Sequence, residues 1–529
     1  MDSQDKLLPI DQNVEKSSVF WKLFNTIISL LSGLVIGWFF FPSIHSSYPD
    51  KAQQTENVKY PIPDVRLPPG GSIWPLPREI RQSQDFMTFY RNDFFYNYSN
   101  PKIKLAVSSF MDLVSPGSST PVDLSIEISS LSLSKSNEAY RLIVMVPLRS
   151  IEITANSEIG VIHAFSTLKQ MLWDGASLNQ TFMVDYPEVE LRGLLLDTAR
   201  HYLPIDTMKR QIDIMSLNKF NTLHWHIVDD SSFPYVSKAL PGIANPYDED
   251  SIYTADMIVD LQDYAELRGI EVFFEFDTPG HTVSWENAGQ NFLADCPQKH
   301  HGRVLNPTVE KNYEILKSLI QEISGISTSQ LFHIGGDEVN FDCWKSDISI
   351  IKYMQSHDIT SFANLEKYYI SKLLKIVEEN FIPIAWEEVF HNDKNLDKNV
   401  IVDVWLSGIV NNTQKYILTS ESAMKRGHKV ILSAPWYLDV YHYGEQYQQY
   451  YNVDLPQNLF GGKACQWGEF VDATNIEPRT WPRASAVIER LWSNPNNKVD
   501  DTVRARLNNF RCFMVKQGYN AEPIFPSHC

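Results

Sequence analysis

From residue 186 onward the chain follows a rhythm in which short, nearly continuous apolar runs alternate with longer amphipathic stretches. The runs are LRGLLLD (191–197), NTLHWHIVDD (221–230), IEVFFEFD (270–277), LFHIGGDE (331–338), IPIAWEE (382–388), VIVDVWL (400–406), KVILSA (429–434) and GGKACQWGE (461–469). A strand buried on both faces reads as an unbroken apolar run, and such strands separated by helices form a parallel sheet. Eight of them predict a closed (β/α)8 TIM barrel over residues 186–529. An open doubly wound sheet is the alternative. It usually carries a glycine-rich first turn, and no GxGxxG follows the first run.

Before the barrel the pattern changes. In residues 71–185, VDLSIEISS and EAYRLIVMVP alternate like strands, whereas SEIGVIHAFSTLKQMLW has helical spacing with Ser157 as its cap. A small α+β support domain without chemistry of its own is expected there. Residues 45–70 are proline-rich and read as a stem. Residues 23–44, LFNTIISLLSGLVIGWFFFPSI, carry no charge. At about 1.5 Å per residue they match a hydrocarbon core roughly 30 Å thick. A cleaved signal peptide is the rival, but its apolar stretch is shorter and ends in small residues, whereas this one ends in Trp38, Phe39, Phe40 and Phe41. The expectation is an uncleaved transmembrane signal anchor behind a cytosolic tail, residues 1–22. Lys6, Lys16 and Lys22 on the tail side orient it as a single-pass type II membrane protein of the secretory pathway. A secreted or lysosomal protein after signal cleavage is the alternative.

Composition narrows the partners. The formal net charge of −18 leaves no basic footprint for nucleic acid. Asn97, Asn179 and Asn411 begin N-x-S/T glycosylation triplets, as a lumenal chain would show. Of five cysteines, Cys296 and Cys343 lie in one region, Cys512 and Cys529 close a short C-terminal loop, and Cys465 sits between apolar neighbours. Two disulfides and one free thiol fit an oxidising compartment. No Cys/His cluster has zinc spacing, so neither metal nor cofactor is expected.

In a TIM barrel the active site lies at the C-terminal ends of the strands. Those ends carry Arg200, then Asp229, then Asp277 with His281, then Asp337 and Glu338, then Trp386, Trp405, Tyr437 with Asp439, and finally Trp467 with Glu469. The earlier parts of the runs are mostly Leu, Ile, Val and Phe. Adjacent Asp337 and Glu338 follow two glycines, and each carboxylate raises the other's pKa. One could then stay protonated as a general acid while the other stays ionised. A Walker-B strand also ends in such a pair, but no GxxxxGK[ST] is present. His224 and His226 form an HxH that reads as buried barrel residues rather than metal ligands.

RGLLLDTARHYLP, LHWHIVDDSSFPY, FDTPGHT, HIGGDEV, LSAPWYLD and ACQWGEFVD, in this order, resemble the strand-end blocks of the β-N-acetylhexosaminidases of glycoside hydrolase family 20. The resemblance implies exo-hydrolysis of terminal β-GlcNAc or β-GalNAc from glycans. Other retaining glycosidases place two carboxyl groups about 5–5.5 Å apart. The resemblance implies instead that the sugar's acetamide oxygen attacks its own anomeric carbon, giving an oxazolinium. Glu338 would be the acid/base, Asp337 would accept the acetamide N–H, and Tyr437 would donate to the acetamide oxygen. Trp386, Trp405 and Trp467 would wall the sugar. Arg200 would clamp hydroxyls 3 and 4, Asp439 and Glu469 would hold hydroxyls 4 and 6, His281 backed by Asp277 would support Glu338, and Asp229 would line the site. Members that accept anionic sugars place a basic residue beside the position of Asp439, where this chain has Val440, so neutral sugars are expected. Members are often homodimers. A non-catalytic, membrane-anchored glycan-binding protein on the same fold is the rival function.

Overall fold

The computed structural model describes residues 73–131, 136–172, 174–297, 302–406, 413–496 and 498–529. The expected tail, anchor and stem, and Asn411, lie outside them. Among the described residues no helix is long and apolar enough to cross a membrane.

Five strands form the first sheet: β1 (Glu79–Thr88), β2 (Asp123–Ile128), β3 (Tyr140–Met145), β4 (Ser150–Ala155) and β5 (Ser177–Asp185), in the order β1-β5-β3-β4-β2. The alternation of β3 is clean, with Tyr140, Leu142 and Val144 buried. They pack with Phe110, Val161, Phe165 and Leu168 of helices Pro101–Met111 and Glu158–Met171. Ser157 caps the second helix by accepting from the Ile159 amide, as its sequence pattern predicts.

Eight parallel strands follow: β6 (Leu191–Asp197), β7 (Thr222–Val228), β8 (Glu271–Phe276), β9 (Leu331–His333), β10 (Ile382–Trp386), β11 (Ile401–Val404), β12 (Val430–Leu432) and β13 (Gly461–Gln466). They close into a barrel when β13 pairs with β6, Gly461 opposite Leu191. Every predicted run contributes a strand, but β9 is shorter than its run. Gly335 and Gly336 adopt φ of 71° and 93° and turn the chain out of the ladder.

Side chains of period two stack inside the barrel in layers. The bottom layer is apolar: Leu191, Phe273, Ile384, Ile401 and Ile431. Two residues further along these strands come Glu275 and Asp403, joined by His224, His333 and Lys463, all fully buried. The top layer holds Leu195, Trp386, Trp405, Tyr437, Cys465 and Trp467. Gly193 makes room for the middle layer, since a Cβ there would lie 2.8 Å from the Lys463 Cβ.

The sheet unit is tied to the barrel by buried charge. Lys219 Nζ lies 2.7 Å from Asp185 Oδ2 and donates to the Tyr140 hydroxyl at 3.0 Å, while the Trp492 indole donates to Asp185 Oδ1 at 2.8 Å. Cys296–Cys343 and Cys512–Cys529 are disulfides, and Cys465 is a buried free thiol. Asn97 is exposed, whereas the Asn179 Nδ2 donates to the Ser83 carbonyl at 3.0 Å.

Candidate active site

Each β-strand ends by delivering a polar or aromatic side chain to one mouth. After β6 the Arg200 guanidinium lies 3.1 Å from Asp197 Oδ2 and 2.8 Å from Asp229 Oδ2, with Trp467 beneath it at 5.0 Å. Burial opposes its charge, but Asp197, Asp229 and Glu469 more than compensate and hold it ionised. Asp197 also accepts from the Gly468 amide at 3.0 Å, which fastens the end of β13 to the end of β6.

His281 and Glu338 are non-glycine residues in the left-handed region, with φ of 51° and 48°. Such conformations are strained and cluster at functional sites. They bring His281 Nε2 to 3.5 Å from Glu338 Oε2 and 3.6 Å from Asp337 Oδ2. The carboxylate behind His281 Nδ1 is Asp229, at 3.4 Å, not the Asp277 expected from the family pattern. Asp277 instead accepts from the Gly336 amide at 3.1 Å. That bond needs a glycine at 335, because a Cβ there would overlap the Asp277 carboxylate.

The protonation pattern also differs from the simple expectation of a protonated acid. Burial opposes a charged His281, but Asp229 and Asp337 raise its pKa well above the imidazole range. Its interaction with Glu338, whose side chain is 60% exposed, lowers that carboxyl below its ordinary value. Burial raises Asp337, with Glu275 and Glu338 adding to the rise against His281. Burial and Asp337 push Asp277 well up. The buried carboxyl of the pair is therefore the one that holds its proton more readily, and the exposed one is ionised by the imidazolium. Desolvation, which adjacency in sequence does not reveal, separates them.

Next to Asp337 four rings form a box. Trp386 lies 6.3 Å from Trp405, Trp405 6.1 Å from Tyr437, Tyr437 6.3 Å from Trp467, and Trp467 6.1 Å from Trp386, centroid to centroid. The Trp386 indole donates to Glu275 at 2.8 Å and the Trp405 indole to Glu388 at 2.8 Å. Burial, with Cys465 and Asp337 nearby, raises the Tyr437 phenol well above its usual range, so it stays a donor. Asp439, raised to about 6 by burial and by Glu469, lies on the side of Arg200 and Glu469.

Glu275, His333, Asp403 and Lys463 were absent from the sequence-derived site. Glu275 meets His224 at 2.9 Å, His226 at 2.6 Å and His333 at 3.0 Å, while Lys463 donates to His224 at 2.7 Å and pairs with Asp403. A charged residue in the middle of an apolar run is the signal that marks them, because a buried charge requires a partner. His224, Glu275 and His333 bring ligand atoms within 4.8 Å of one another, as do Asp229, Asp230 and His281, and Asp277, His281 and Asp337. The first set is already bonded internally and faces the Lys463 ammonium. The other two sets contain His281, whose pKa neighbouring Asp229 and Asp337 raise well above the usual imidazole value, so a metal there would have to displace its proton.

Residues 190–495 match the model of the glycosyl hydrolase family 20 catalytic domain. The chain belongs to glycosyl hydrolase family 20. As a family 20 member it also matches the "beta-acetyl hexosaminidase like" model over residues 117–171. It is 35% identical to the human beta-hexosaminidase subunit beta over 88% of this chain and 91% of that one. It is 40% identical to the mouse subunit beta over 77% and 78%. Its fold resembles a Flavobacterium johnsoniae chitobiase, with TM-score 0.75, 25% identity, and coverage of 86% of this chain and 74% of that one. It also resembles a Streptomyces plicatus N-acetyl-beta-hexosaminidase, with TM-score 0.72, 21% identity, and coverage of 88% and 99%.

Proposed function

We propose that this family 20 enzyme is an exo-acting β-N-acetylhexosaminidase that removes terminal β-GlcNAc or β-GalNAc with retention, using the sugar's own acetamide as nucleophile. The observation that carries the reading is the four-ring box beside Asp337, with Glu338 at its exposed lip. Flat apolar rings fit the C–H face of a pyranose and exclude water around an acetamide methyl.

Glu338 gives its proton to the leaving oxygen as the acetamide oxygen bonds to C1. Asp337, whose burial favours its proton in the free protein, gives that proton up as positive charge develops beside it. Its carboxylate then accepts from the amide N–H and balances the oxazolinium, while Tyr437 donates to the acetamide oxygen and turns it towards C1. Glu338 then takes a proton from water, which attacks C1 and reopens the ring. In the free protein Glu338 is ionised by His281, so loading the acid is the sugar's task. Covering the exposed carboxyl removes its water and raises its pKa. His281, held by Asp229, steadies that pair, and Asp277 holds the turn beneath Asp337. Arg200 fixes hydroxyls 3 and 4, and Asp439 and Glu469 take hydroxyls 4 and 6.

The test is hydrolysis of an aryl N-acetyl-β-glucosaminide. Glu338→Gln should lower kcat by about 10³-fold or more, and a thiazoline mimic of the cyclised intermediate should inhibit the wild type. Undiminished turnover by Glu338→Gln would remove the mechanism.

The disulfides and the uncharged segment 23–44 further support a chain that faces the lumen or exterior while anchored by its N-terminal segment. Retention of the full-length chain in membranes after alkaline carbonate washing would agree with the anchor. Complete release would favour a cleaved, secreted or lysosomal protein.

A further inference from the structure

Three of the four rings of the aromatic box, Trp405, Tyr437 and Trp467, lie beyond the ends of their strands, and Trp405 is the one held there by carboxyl groups. Trp405 lies one residue beyond β11, and the next residue, Leu406, has also left the strand. Two carboxyl groups from the start of helix Glu387–Asn392 hold this segment. Glu387 Oε1 accepts from the Leu406 amide at 2.5 Å, and Glu388 Oε2 accepts from the Trp405 indole at 2.8 Å. Trp405 in turn stacks on Tyr437 with their planes 24° apart and meets Trp386 edge-on at 67°. Removing the indole's acceptor would leave the Trp405 ring free to tilt against both.

We propose that Glu388 is a positioning residue: by anchoring the Trp405 indole it sets the width of the box, and so the size of the N-acyl group the enzyme accepts. The inference rests on the acetamide reading of the box and deepens it. Glu388 acts through Trp405, whose indole donates to it. Burial and the neighbouring Asp337 push its carboxyl up to about 8. A neutral carboxyl still offers its carbonyl oxygen to the indole, and it spares Asp337 a second negative charge at close range. Glutamine is the isostere of that neutral acid.

The experiment compares aryl β-glucosaminides bearing N-acetyl and N-butanoyl groups. The wild type should strongly prefer N-acetyl. Glu388→Leu should lose this preference about tenfold, the size of effect expected when one hydrogen bond to a buried donor is lost. Glu388→Gln should keep the preference. In a Trp405→Phe background, which lacks the indole N–H, Glu388→Leu should cause no further loss. A Glu388→Leu enzyme that loses both activities equally, with the preference intact, overturns the proposal, as does a full further loss in the Trp405→Phe background. Should Glu388→Leu fail to fold, Glu388→Gln decides: a loss of preference as large as that of Trp405→Phe overturns the proposal. A wild type without N-acyl preference would overturn the acetamide reading itself, a different outcome from failure of the Glu388 anchor.

Discussion

Asp439 shows how environment rather than residue type sets chemistry. An exposed aspartate titrates near pH 4, but burial and Glu469 raise this one to about 6. The sign is direct: a raised acid is neutral below that pH and charged above it. A sugar carrying a 6-sulfate should therefore be repelled at neutral pH and tolerated better in acid. The ratio of kcat/KM for 6-sulfated over unsulfated aryl glycoside is expected to rise about tenfold between about pH 7 and about pH 5. Asp439→Asn should flatten that dependence. A ratio that stays level in the wild type would remove Asp439 from the O6 position. Asp337 and Glu338 make the same point in reverse, since two adjacent carboxyls of similar intrinsic acidity are driven apart by burial and by His281.

At the scale of elements, the catalytic turn depends on a neighbour's covalent brace. Cys343 lies in helix Phe341–Ser346, a few residues past Glu338, and its disulfide reaches Cys296 in the segment that follows β8. Asp277 and His281 belong to that same segment, so the bridge links the two connections that bring His281 to Glu338. It spans 47 residues, for which loop-closure entropy predicts up to about 4 kcal/mol of stabilisation. Replacing both cysteines with serine should lower stability by about 2–4 kcal/mol in chemical denaturation and reduce kcat more than it raises KM. Unchanged stability and kcat would mean that the hydrogen bonds of this segment hold it unaided.

Across the whole molecule, the five-stranded sheet and the barrel share a buried ion pair. Lys219 and Asp185 are both inaccessible, and the Trp492 and Tyr140 side chains complete their hydrogen bonds. Breaking such a pair leaves a lone charge in the interior, which costs about 3–5 kcal/mol. Asp185→Ala is expected to destabilise by that amount while described sheet and barrel still unfold in one transition. Two separated transitions, or a loss below about 1 kcal/mol, would contradict a shared core. A single transition would make the sheet unit a structural partner of the barrel.

Apolar runs determined eight strands and their order, because a strand buried on both faces has few ways to satisfy that pattern. The polar ends of those runs, and the likeness of six of them to one family, pointed to Arg200, Asp337, Glu338, Tyr437 and the tryptophans. Only tertiary structure decided who partners whom. Asp229 rather than Asp277 stands behind His281, and Glu388 holds Trp405, because barrel closure sets contacts between residues far apart in the chain. Glu275, Asp403 and Lys463 were visible as lone charges in apolar strands, yet their purpose emerged only when one closed ring turned them towards one another.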